Sequence, residues 1–101
     1  MPSPIVTPPR LVVDENEPAR FHCYMPDNRP VALQWKKSDG SPLDDDVLDQ
    51  GGFLEFPEPK LQHSGKYVCT ASSPRGPETV DSTPVQLDVR KGIFEDVLTQ
   101  K

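Results

Sequence analysis

The sequence predicts an all-β domain, a sandwich of two antiparallel sheets. Three observations carry that expectation. Short segments alternate apolar and polar side chains between clusters of turn residues, which is the period of half-buried strands. Thirteen prolines in 101 residues disfavour helices and suit turns and sheet edges. Cys23 and Cys69 bracket Trp35 and Tyr67, with the tryptophan twelve residues after the first cysteine and the tyrosine two before the second. The length is that of one domain, and a 34% hydrophobic content leaves it a small core.

The elements follow in order. Met1 to Pro9 is proline-rich and reads as an extended lead-in, with Ile5 and Val6 as a first edge strand. Leu11, Val12 and Val13 continue as a second edge segment, and Asp14 to Glu17 is a polar turn. Ala19 to Met25 alternates cleanly and turns Ala19, Phe21, Cys23 and Met25 inward. After a turn at Pro26 to Pro30, Val31, Leu33 and Trp35 form the inward set of the next strand, while Gln34 and Lys36 face water. Lys37 to Asp46 holds Asp39-Gly40, Pro42 and three consecutive aspartates, so it reads as a hairpin tip and loop rather than a further long strand.

Gly51-Gly52 precedes a strand with Leu54 and Phe56 inward and Phe53 and Glu55 outward. Pro57 to Gly65 crosses between the sheets, with Leu61 as its expected buried anchor. Lys66 to Ser72 is a strand with Tyr67, Cys69 and Ala71 inward; Ser73 to Pro77 is a loop. A last strand to about Arg90 buries Val85, Leu87 and Val89. Residues 91–101 fall outside the sandwich as a linker or tail. There Ile93, Phe94, Val97 and Leu98 share one face of a short helix, and eleven residues are marginal for an isolated one. If strand pairing keeps residue numbers summing near 77, Tyr24 stands opposite Phe53 and His22 opposite Glu55 on an outer sheet face. Val12 then extends Tyr24 and Phe53 into a patch. It either stabilises the sheet or meets a partner or adjacent domain.

His63-Ser64-Gly65-Lys66-Tyr67-Val68-Cys69, together with Cys23 and Trp35, resembles the Asp-Ser-Gly-x-Tyr-x-Cys signature of I-set immunoglobulin domains. The resemblance covers residues 4–90, and the stretch between the third and fifth strands of such a domain is short here, as in that set. It implies one disulfide between Cys23 and Cys69 that ties the two sheets, with Trp35 packed against it and Leu54 in the same core. It also implies that the Tyr67 hydroxyl turns back to the backbone upstream. Closing so long a loop is worth about 4 kcal/mol in the chain-entropy model. His63 stands where the family has aspartate, which there pairs with an arginine near the fourth strand. No arginine lies between residues 30 and 74, so that salt bridge is expected to be lost on both sides.

Thr7-Pro8-Pro9-Arg10-Leu11, Asn16 to Phe21 and Tyr67 to Ala71 resemble the repeated modules of perlecan-type basement-membrane proteoglycans. That resemblance implies an extracellular matrix protein, with many modules strung together and surfaces that bind matrix components and cell-surface proteins. Two cysteines in a small β-rich chain fit an oxidising compartment. The alternative is a cytoplasmic, muscle-type immunoglobulin domain whose buried cysteines stay reduced.

Catalysis fails on inventory. His22 and His63 are the only histidines, and Ser64 beside His63 has no orienting acid at a useful spacing. No cofactor is implied. Asp44-Asp45-Asp46 with Asp49 offers oxygen ligands for calcium, but the run lacks the glycine turn and distal glutamate of a dedicated loop and reads as a solvated face. Asn16 and Asn28 are outside any Asn-x-Ser/Thr sequon, and Ser64-Gly65 reads as a turn rather than a glycan attachment site. A net charge of −5 argues against nucleic acid and heparin-like polyanions as ligands. No run approaches a membrane span, and no basic-then-apolar leader opens the chain, so a fragment of a larger protein, with Met1 as an added start, is expected. The function expected is a structural spacer and interaction scaffold, bound to protein partners or neighbouring domains. The alternative is a ligand-recognition domain of an adhesion molecule or receptor.

Overall fold

The structure is a computed structural model that describes residues 1–92; the helical face expected from Ile93, Phe94, Val97 and Leu98 lies outside the described residues. The strands are β1 (Ile5–Thr7), β2 (Arg10–Asp14), β3 (Ala19–Tyr24), β4 (Ala32–Lys37), β5 (Leu48–Gln50), β6 (Phe53–Phe56), β7 (Gly65–Ser72), β8 (Thr79–Asp81) and β9 (Val85–Arg90). One sheet has the order β1-β3-β6-β5 and the other β2-β9-β7-β4, with β8 also paired to β7. The first edge of the chain is divided between the sheets at Pro8-Pro9. β1 pairs antiparallel with β3, and β2 crosses over to run parallel to β9, the one parallel pair among the described residues of a sandwich expected to be antiparallel throughout.

The inward residues of both sheets meet as the alternation requires. Phe21, Leu54, Phe56, Cys69, Val85 and Leu87 are wholly buried, and Cys23 and Cys69 form the disulfide across the sheets. Each such strand presents a buried residue at every second position, β6 reading half-buried, buried, half-buried, buried.

Further expectations need correction. The β3–β6 register sums to 75 and not 77: Phe21 faces Leu54, His22 faces Phe53, and Arg20 faces Glu55. A shift of two keeps every side chain on its face. Its cause is the Gly51-Gly52 turn, where both glycines have positive φ and the Gly52 carbonyl takes the Cys23 N–H at 2.8 Å, so Cys23 lies opposite the turn. Leu61 is no anchor, being 48% exposed. In the 3₁₀ turn Leu61–His63 the Lys60 N–H donates to His63 Nδ1 at 2.8 Å, drawing the imidazole inward and leaving Leu61 outside; Pro59 and His63 are buried instead. β5 was not legible, because its one inward residue is the polar Asp49. The last strand is broken into β8 and β9 at Ser82. There the Ser82 N–H donates to the Cys69 carbonyl at 2.8 Å, and Ser82 Oγ accepts from the Cys69 N–H at 3.0 Å.

Candidate functional site

Two of the signature residues converge on one carbonyl. Gly52 O accepts from Trp35 Nε1 at 2.9 Å as well as from the Cys23 N–H, so the indole and the first half-cystine hang on the same oxygen. Only glycine fits: φ is +88°, and a Cβ would stand 2.3 Å from the Cys23 carbonyl oxygen. Trp35 is further tied at its backbone, whose N–H donates to Asp49 Oδ2 at 2.9 Å. The glycine doublet was the one sequence signal for this junction, and the part played by Asp49 had none.

Tyr67 behaves as the resemblance implies. Its hydroxyl donates to the His63 carbonyl at 2.7 Å, and its ring meets Phe56 edge-on at 5.2 Å. Burial pushes the Tyr67 pKa up to about 12, and the negative charges of Asp44 and Asp46 add to the effect. The arginine–aspartate pair of the family is absent, but position 63 is not unpaired. With Nδ1 accepting from Lys60, Nε2 carries the proton and donates to Asp46 Oδ1 at 3.0 Å, with Asp44 Oδ2 at 3.6 Å. The polarity has been reversed: the donor now sits on the corner before β7 and the acids on the segment before β5. The Lys37 ammonium, 2.8 Å from Asp44 Oδ1, holds the Asp44 carboxyl below its ordinary range, and the same bond raises Lys37.

Asp44, Asp46 and His63 present ligand atoms within 4.8 Å of one another, a spacing a metal ion could use. The donor set does not fit one. His63 Nε2 bears a hydrogen rather than a lone pair, and Lys37 occupies one oxygen of Asp44. Asp49, also considered for calcium, is taken by Trp35. The cluster closes the corner.

The outer face of the four-stranded sheet carries the aromatic residues expected there in a different arrangement. His22 stacks on Phe53 at 4.1 Å with planes 8° apart, Tyr24 lies 5.2 Å beyond His22, and the Arg20 guanidinium stands 4.8 Å from the centre of the Phe53 ring. His22 and Phe53 thus use their faces on each other, and Tyr24 is tilted 33° to His22. Val12 does not extend this patch. It lies on β2, in the other sheet, 48% exposed between the ion pairs Arg10–Asp88 and Asp14–Arg90. The sequence set Val12 in an exposed patch with Tyr24 and Phe53, and held no sign of the crossover at Pro8-Pro9 that assigns it to the opposite sheet.

Among the described residues no helix is long and apolar enough to cross a membrane. The family model described as immunoglobulin domain matches residues 2–73. Basement membrane proteoglycan of Caenorhabditis elegans is 44% identical over 87 residues, which is 86% of this chain and 3% of that protein. Human hemicentin-1 is 31% identical over 85 residues, 71% of this chain and 2% of that protein. Roundabout homolog 1 of Homo sapiens is 37% identical over 70 residues, 65% of this chain and 4% of that protein. The chain thus spans a few hundredths of the length of these relatives. Among solved structures, the four N-terminal immunoglobulin domains of Dscam1 superpose with a TM-score of 0.69 at 24% identity, over 87% of this chain and 20% of that one. A two-sheet sandwich closed by the Cys23–Cys69 disulfide, packed on Trp35 and cornered at Tyr67, places this chain in the immunoglobulin domain family.

Proposed function

We propose that residues 4–90 are a non-catalytic extracellular module of a larger multidomain matrix protein, serving as a structural spacer and protein-interaction scaffold, with residues 91–101 as its linker. The observation that carries this reading is that the groups able to do chemistry are spent on the fold. His63, Asp44, Asp46 and Asp49 each hold a protein partner, and the outer-face rings stack on one another. Identity of 44% to a basement membrane proteoglycan supports the matrix setting. The double variant Tyr24→Ser with Phe53→Ser tests the scaffold reading against a recognition site. The spacer reading expects lowered stability with unchanged association to neighbouring domains and basement-membrane extract. Loss of association in a variant that remains folded would overturn it.

The second reading, a recognition domain of an adhesion molecule or receptor, is favoured by one observation. Ile5, Tyr24 and Leu48, each about two-fifths exposed, lie on the same outer face as Phe53. Thiol alkylation of the native protein separates both from a muscle-type intracellular domain, in which two free thiols would be found.

A further inference from the structure

A sheet edge presents outward N–H and C=O groups on which another strand can pair. The four-stranded sheet limits this hazard by length: β1 and β5 have three residues each, and β1 lies between Pro4 and Pro8. The five-stranded sheet has longer edges, β2 of five residues and β4 of six. At β2, Pro9 O accepts from Gln86 N–H and Glu15 N–H donates to Arg90 O. The alternation of a parallel ladder then turns Leu11 and Val13 toward β9, and the backbone groups of Arg10, Val12 and Asp14 toward the open side.

That open side is self-complementary. If two copies paired antiparallel about Val12, Arg10 of each would stand opposite Asp14 of the other, with the half-exposed valines in the centre. Asp14, however, is already engaged. Its N–H donates to Glu17 Oε1 at 3.1 Å, and its carbonyl accepts from Glu17 N–H at 3.0 Å. The β4 edge carries the same device. Trp35 N–H points away from β7 into the Asp49 carboxylate, and Lys37 N–H is turned back onto Ser41 O at 3.2 Å.

We infer that Glu17 and Asp49 are guards which close the two long edges of the five-stranded sheet, and that the β2 edge is a latent pairing site for a second copy of this chain, kept shut by Glu17. A carboxylate suits the task because it accepts the edge N–H and repels the carbonyls of an incoming strand.

The test is sedimentation equilibrium of the disulfide-intact chain. Glu17→Ala frees one Asp14 N–H per copy, two hydrogen bonds across a symmetric pair. Dimerisation should strengthen about tenfold or more over the parent protein. Glu17→Gln keeps an accepting oxygen and should sediment as the parent does. Adding Arg10→Asp to Glu17→Ala sets like charges opposite one another and should return the monomer. Glu17→Ala that sediments like the parent while keeping its near-UV circular dichroism overturns the proposal, and so does a dimer indifferent to Arg10→Asp. Should Glu17→Ala lose its fold, hydrogen exchange of the parent protein decides. The Asp14 and Trp35 amides must exchange more slowly than the Val12 amide, and equal rates overturn the inference.

Discussion

Replacing Gly52 by alanine should be among the most damaging single-methyl changes available in this domain. The added Cβ would fall 2.3 Å from the Cys23 carbonyl oxygen and 3.3 Å from Leu33 Cδ1, at a backbone φ of +88°. Left-handed backbone costs a non-glycine residue about 1–2 kcal/mol. The clash is with backbone, so the turn must move and take the Gly52 carbonyl with it. That weakens the hydrogen bonds from Trp35 Nε1 and Cys23 N–H, and an orphaned buried donor costs about 1–3 kcal/mol. The total expected is about 2–5 kcal/mol. Gly51→Ala is the matched control: φ is +57°, nothing lies within 4 Å of its Cβ, and only the backbone cost of about 1–2 kcal/mol applies. Urea unfolding followed by the emission of Trp35, the sole tryptophan, reads both variants. With m near 1 kcal/mol/M the two midpoints should separate by about 2 M. Coincident midpoints would refute the account, because the carbonyl would then not be the point on which the disulfide strand and the indole depend.

Other expectations follow from the same contacts. Tyr67→Phe leaves the His63 carbonyl without its donor and should cost about 1–3 kcal/mol in the urea midpoint. In alkali the folded chain keeps the Tyr67 proton to about pH 12, while the unfolded chain releases it near 10.0. The native state therefore binds more protons in that window and stability falls as pH rises. The loss reaches about 2 kcal/mol by pH 12 and should be missing in Tyr67→Phe, as urea midpoints against pH will read. His63→Asp restores the family residue but faces it with Asp44 and Asp46, at a cost of about 3–5 kcal/mol; adding Asp46→Arg should recover at least half, and additive losses in a double-mutant cycle would disprove the reversed pair. Intact mass should rise by the two hydrogens of one bridge on reduction.

The meeting of Cys23, Trp35, Tyr67 and Cys69 was implied by the family resemblance, and the sequence by itself determined the strand alternation and the inward residues of β3, β6, β7 and β9. These are local matters: side-chain period decides which face is buried, and burial of one face leaves little choice of partner sheet. What only the tertiary structure decided is how segments distant in the chain divide the work. A crossover at two prolines puts Val12 on one sheet and Tyr24 on the other, and a glycine carbonyl sets the β3–β6 register two residues away from the expected sum. An aspartate from β5 caps an edge strand of the opposite sheet, and a buried histidine takes two aspartates from a loop that composition alone marks as solvated. Such pairings leave no periodic trace, because a hydrogen bond needs one donor and one acceptor at the right distance, and that distance is set by the packing of both sheets together.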